Sequence, residues 1–171
     1  LSRGREIIPL EQEICHVRSY LDIQKMRYGD RLDYQIRIPE ELKKLYTVKL
    51  LIQPLAENSI YHGIKESDRK GTILITAGEE TGGFYLCVRD DGLGITPETL
   101  TILNADLKRG VTVSDGGYGI FNVNERIRLY FGRDYGLELR SCAGEWTEAV
   151  IHLPKYIPER TEWDVSDFDR R

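Results

Sequence analysis

Asn58 and His62 lie four residues apart in "LIQPLAENSIYHGI" (51–64), so a helix would carry both on one face. The segment is otherwise mostly apolar. A plain core helix would carry leucine at such positions, so the pair implies a polar neighbour. Asp90 closes a β-rich run in "VRDDGLGI" and is followed by Gly92 and Gly94. A carboxylate there can accept a hydrogen bond from an exocyclic amine, and the glycines let the backbone turn and approach a ligand. The same D-x-G-x-G pattern is also an ordinary acidic turn. In "DGGYGI" (115–120), Gly117 and Gly119 lead into a helical pattern. The free N–H groups of a helix start favour an anion, although a loop entering a helix reads identically.

These groups need elements to hold them. After Pro9, the residues Leu10, Ile14, Val17, Leu21, Gln24 and Tyr28 recur at helical spacing, which predicts an amphipathic helix of about five turns. "RLDYQIRI" (31–38) alternates with period two and reads as a strand ended by Pro39. The helix of Asn58 is expected from about Val48 to Gly63. "TILITAGEE" and "FYLCVRDD" flank a glycine turn and predict a hairpin; "YGLELRSC" and "WTEAVIHL" predict another. Thr96, Pro97 and Glu98 mark a helix start, residues 110–117 read as loop, and "YGIFNVNERIRLYFG" (118–132) reads as a second strong helix. The expected fold class is α+β: a two-layer α/β sandwich with a mixed sheet and helices on one face, preceded by one amphipathic helix. The expected divisions are residues 1–29 (a helical region), 30–154 (the main domain) and 155–171 (a charged tail).

With 171 residues the chain can bury a real core. Its net charge of −4 leaves no basic footprint for nucleic acid. Cys15, Cys87 and Cys142 are in no metal-ligand spacing and read as reduced thiols. No apolar run approaches the roughly 18 residues a membrane span needs. The chain opens at Leu1, which is expected of a fragment of a longer protein.

In order, the chain shows a polar-faced helix with asparagine, a strand ending in D-x-G-x-G, a polar segment, and G-x-G at a helix start. This combination resembles the Bergerat-type ATP-binding domain of the GHKL superfamily: gyrase-type topoisomerases, Hsp90-type chaperones, MutL-type proteins and histidine kinases. "LIQPLAENSIYHGIK", "VRDDGLGI", "GYGIFNVNERIRLYFG" and "RGREIIPLEQEICHVRSYLDIQKMRYGDRL" resemble the YesM/LytS-like group of bacterial sensor histidine kinases. The resemblance covers residues 3 to about 154.

That resemblance implies ATP and Mg²⁺ as cofactors. Asn58 would supply an amide oxygen to Mg²⁺ as its protein ligand, and His62 would touch the phosphate or ribose side, both as catalytic residues. Asp90 would accept from the adenine amine. Gly92 and Gly94 match the first glycine box, and Gly117, Tyr118 and Gly119 the second, where backbone meets phosphate. Residues 96 to 116 would form a flexible lid with Lys108 as a cation. Asn122, one turn into the last helix, would face the site. The implied partners are an acceptor-histidine helix of the same or a partner subunit, a response-regulator receiver domain, and a second copy in a homodimer. The implied location is the cytoplasmic side of a bacterial plasma-membrane protein.

Several positions depart from the pattern. Asp115 stands where the second box often has a glycine, and Tyr61 where relatives often carry lysine, for which Lys108 and Arg109 of the lid would compensate. No acceptor motif like H-F-L-Y-N occurs; His16 reads as a surface residue and His152 as a sheet residue. Residues 9–28 would then be the second helix of a dimerisation pair, with its apolar stripe exposed. Hydrolytic GHKL ATPases and anti-sigma-type serine kinases carry a glutamate base one turn before the asparagine. Here that position is Pro54, and Glu57 points about 100° away from Asn58. A nucleotide-binding module without catalysis is the other alternative.

Overall fold

The computed structural model describes residues 6–65, 69–110 and 119–158. Strand β1 (Ile7–Pro9) leads directly into α1 (Leu10–Tyr28), with Pro9 at the N-cap. Strand β2 (Leu32–Arg37), the short α2 (Glu40–Lys43) and β3 (Tyr46–Val48) follow. Next comes α3 (Ile52–Asn58), continued by a π turn (Ser59–Ile64). The hairpin β4 (Gly71–Glu80) and β5 (Gly83–Asp90), helices α4 (Pro97–Arg109) and α5 (Gly119–Phe131), and the hairpin β6 (Gly136–Cys142) and β7 (Trp146–Leu153) complete the chain.

Five strands form a mixed sheet in the order β2-β4-β5-β7-β6; only β2 and β4 pair in parallel. A separate ladder joins β1 to β3. Alternation decides the faces. Ile73 and Ile75 on β4, and Phe84, Leu86 and Val88 on β5, are buried in one core with the apolar residues of the helices. The opposite face carries polar pairs. Arg89 stacks on Trp146 and bonds Glu148, while His152 bonds Glu80. Helices cover one face of a mixed sheet, as the α+β reading expects.

The stripe of α1 departs from expectation. Leu10, Ile14, Val17 and Leu21 are not left exposed for a second helix but buried in the common core, with α1 packed on α3. The exposed apolar residues of α1 are Ile23 and Met26, lower on another face. The expectation missed this because periodicity shows that a stripe is buried, not by what.

The expected lid also changes. Residues 97–109 form a capped helix, with Thr96 accepting from the Thr99 amide, Pro97 in the first turn and Gly110 in the left-handed region at the C-terminus. Asn104 fixes α4 to β6 by two bonds to Leu139, one to its carbonyl and one from its amide, each 2.8 Å. The remainder of the expected lid, 111–116, lies outside the described residues.

Candidate functional site

The polar stripe of α3 meets the end of β5. Along β5 the series Phe84, Leu86, Val88 continues to Asp90, so strand alternation alone sends this carboxylate under the helices. Asp90 is 4% exposed. It accepts from the Gly92 amide at 3.1 Å and from the Ser59 hydroxyl. Burial pushes its carboxyl up from an ordinary 3.8 to about 6, against the pull of those two donors.

A cavity of about 320 Å³ opens above it. Val88, Leu139, Thr147 and Ala149 form the sheet side. Leu55, Asn58, Ser59, His62 and Gly63 form one wall, and Leu93 to Thr96, Thr99, Leu103 and Ile120 the others. The walls are mostly apolar, with a few convergent polar groups, as small-molecule sites are.

Asn58 and His62, four residues apart, share the cavity wall, and the helix changes pitch between them. The Lys65 amide bonds the Ile60 carbonyl, five residues back, at 2.8 Å. This π geometry widens the turn. Gly63 sits inside the π turn rather than closing a helix. A Cβ there would lie 2.5 Å from Oδ1 of Asp90, so the bare backbone lets the turn settle on the carboxylate. Sequence reasoning passed over Gly63 as a helix end. No spacing signal marked it, because one residue after His62 lies about 100° round an α-helix, and only the π turn brings it under the strand.

The first glycine pair has a structural cause that the sequence did not show. A Cβ at Gly92 would stand 2.3 Å from Cα of Gly63. Gly94 has φ of +67°, and its Cβ would meet the Cys142 carbonyl oxygen at 2.1 Å. Both glycines serve close approach of the loop to the protein itself; Gly94 also lines the cavity, while Gly92 only supports Asp90.

The other expected residues scatter. Gly119 opens α5 against Pro54, where an added Cβ would meet only ordinary contact at 3.5 Å. Gly117 and Tyr118 lie outside the described residues. Asn122 is exposed on α5 and is not part of the cavity wall formed by the described residues. Lys108 sits at the far end of α4, about 13 Å along the helix from Thr99 of the wall, and its carbonyl accepts from Arg128. The described part of α4 therefore brings Lys108 to no cavity position. The buried asparagine of α5 is Asn124, which bonds the Leu107 carbonyl and the Leu137 amide, both at 2.9 Å.

Comparison with known proteins places this geometry. Residues 46–157 match the family model described as histidine kinase-, DNA gyrase B-, and HSP90-like ATPase, and residues 1–32 match the model described as histidine kinase. The chain is 34% identical to the sensor histidine kinase YesM of Bacillus subtilis over 150 residues, covering 88% of this chain and 24% of that protein. It is 31% identical to the sensor protein LytS of Bacillus anthracis over 157 residues, 91% of this chain and 26% of that protein. The chain thus spans about a quarter of the length of these relatives. Among solved structures, a nucleotide-free form of the catalytic domain of histidine kinase ThkA superposes with a TM-score of 0.64 at 15% identity, covering 87% of this chain and 94% of that one. At that identity the likeness is one of fold.

Proposed function

The chain belongs to the family of histidine kinase-, DNA gyrase B- and HSP90-like ATPases, and from that premise we propose that it is the ATP-binding catalytic segment of a two-component sensor histidine kinase. One observation carries the reading. A buried carboxylate, Asp90, lies at the base of an apolar cavity of purine-compatible size, with the amide of Asn58 and the imidazole of His62 on its wall.

The base enters between Leu55, Ile120 and the sheet residues. Its exocyclic amine donates to Asp90, where a charge-assisted bond is strong. Guanine presents a carbonyl at that edge and is repelled. The triphosphate leaves toward Asn58, His62 and the start of α5, whose first N–H groups lack helical partners. Mg²⁺ suits this donor set. Asn58 offers one neutral oxygen, and the described residues hold no cluster of three acidic, histidine or cysteine side chains that would bind a metal alone. That is the arrangement for an ion held mainly by phosphate and water. When bound, it neutralises phosphate charge.

In the transfer, a histidine imidazole outside this segment attacks the γ-phosphorus while the bond to the β-phosphate oxygen breaks. ADP leaves, and the imidazole proton passes to solvent. Alignment and charge stabilisation do the work, and no base on α3 is needed because the imidazole is itself the nucleophile. Pro54 at the position of the hydrolytic glutamate accords with this. The reading carries with it an acceptor helix in the same or a partner subunit, a response-regulator receiver domain, homodimeric assembly, and a cytoplasmic position in a plasma-membrane protein. The ThkA kinase has itself been solved in complex with the response regulator TrrA.

Calorimetric titration with a non-hydrolysable ATP analogue, with and without Mg²⁺, tests the reading. Saturable binding that is lost with a GTP analogue, and whose Mg²⁺ enhancement is lost in Asn58→Ala, is expected. Asn58→Ala with full Mg·ATP affinity would sink the assignment of that residue. Phosphotransfer to an acceptor helix supplied in trans then separates a kinase from a binding module without catalysis.

A further inference from the structure

Glu13 is a carboxylate in the middle of the buried stripe of α1, between Leu10 and Val17, and is 1% exposed. Its partners are three consecutive amides at the entry to α3. Oε1 accepts from Leu50, and Oε2 from Leu51 at 2.9 Å and Ile52 at 3.2 Å. Leu50 has φ of +60°, the left-handed region that a leucine rarely adopts. A left-handed residue followed by a right-handed one aims successive N–H groups at one point and makes an anion nest. Here the anion is a side chain of another helix.

The same junction is held from two other sides. Arg126 of α5 donates to the Lys49 carbonyl at 2.8 Å, and the Lys49 amide donates to the Glu6 carbonyl beside β1. Residues 49–52 thus join α1, β1 and α5 to the helix that carries Asn58, Ser59 and His62. The apolar stripe fixes the rotation of α1, so Glu13 cannot leave the nest unless α1 itself shifts or turns.

We propose that Glu13 is a positioning residue through which α1 sets the placement of α3 and its π turn, and so the affinity of the cavity for nucleotide. This rests on the nucleotide reading above. A displacement or rotation of α1 reaches the cavity wall through one carboxylate, with no contact between α1 and ligand. The strained Leu50 backbone persists only while that carboxylate holds it.

The test is Glu13→Asp in the full 171-residue chain. It keeps the charge but shortens the side chain by about 1.5 Å, so the nest must move toward α1 or lose its anion. Glu11→Asp, exposed on the same helix, is the control. Amide hydrogen exchange and calorimetric affinity for the ATP analogue are both read. The expected result is faster exchange at the nest amides 50–52 and onward along α3 and its π turn to residue 64, slow amides of β4 and β5 unchanged, and affinity lower by about tenfold, within the range of couplings between linked sites. Wild-type exchange at 58–64 with wild-type affinity would overturn the proposal. So would uniform acceleration of every slow amide, the mark of a residue that only stabilises the fold. If Glu13→Asp does not fold, Glu13→Gln, which keeps the length and one acceptor oxygen, is read in the same way. If the wild-type chain binds no nucleotide, the function proposed above falls, and the exchange pattern alone still decides whether α1 governs α3.

Discussion

Gly63 and Asp90 are packed so closely that a single methyl group does not fit between them: a Cβ on Gly63 would lie 2.5 Å from the carboxylate oxygen. The π turn and the end of β5 therefore define each other's position. Gly63→Ala is expected to push the Asp90 carboxylate aside, costing about 1–3 kcal/mol as overpacking does. Affinity for the ATP analogue should fall at least about tenfold, as loss of a buried bond to a charged group predicts. Denaturant unfolding and calorimetry check the two halves separately. A folded variant with unchanged affinity would mean that Asp90 does not meet the ligand.

Asp90 also links stability to pH. Burial holds its carboxyl at about 6, above the 3.8 of an unfolded chain. A raised value means that the folded state keeps the proton longer. The stability this confers is complete below about pH 4 and is lost as pH rises through 6. The difference amounts to about 3 kcal/mol as an upper figure. Asp90→Asn should therefore stabilise the ligand-free protein at pH 7 to 8 and change it little at pH 4, by thermal or urea unfolding at each pH.

Nucleotide binding should run the other way. The amine donates to the ionised carboxylate, so affinity is expected to fall as pH drops through about 6. Titration of the nucleotide's own phosphates is common to wild type and Asp90→Asn. The steeper decline should be present only in the wild type, while the variant binds weakly throughout. Parallel profiles would remove Asp90 from recognition.

Gly119 is the converse of Gly92 and Gly94. It opens α5, and among the described residues an added Cβ would meet only Pro54, at contact distance. No packing among the described residues requires a glycine there. If phosphate approaches the start of α5, the ligand requires it. Gly119→Ala is expected to leave stability unchanged or raise it by up to about 1 kcal/mol. It should weaken ATP-analogue binding severalfold and leave adenosine binding untouched. Equal binding of the triphosphate would place the phosphates elsewhere.

Much of this was legible in the residues, for reasons that differ by element. The strands alternate cleanly, so both hairpins stand within a residue or two of their expected bounds, and α1 spans Leu10–Tyr28 as its spacing predicts. The partner of the α1 stripe was not legible, because period records a buried face without its neighbour. Glu13 was invisible for a related reason. A glutamate within a helical stripe reads as a solvated residue until the amides it meets, some 37 positions away, are in place. The glycines were seen, but their causes were not. Positive φ at Gly94 and the contact of Gly92 with Gly63 depend on backbone from three elements.

Asn122 and Asn124 show the same limit at closer range. Both are asparagines in the first turns of α5, and the reading of the sequence favoured Asn122. The structure buries Asn124, 1% exposed, and uses it to satisfy the Leu107 carbonyl at the end of α4 and the Leu137 amide on the free edge of β6. With Asn104 on both backbone groups of Leu139, it closes an edge strand that would otherwise present unpaired backbone. Asn124→Ala leaves the Leu137 amide without its side-chain partner, at a cost of about 1–3 kcal/mol, while the Leu107 carbonyl keeps the Gly110 amide at 3.2 Å. The expected loss is about 1–3 kcal/mol in urea unfolding, with affinity of the folded fraction little changed. Asn122→Ala on the exposed face should move stability by less than about 0.5 kcal/mol, so any loss of nucleotide affinity it causes is a direct contact. If instead Asn122→Ala binds as the wild type does, α5 contributes to the site through its N-terminus and Ile120 alone.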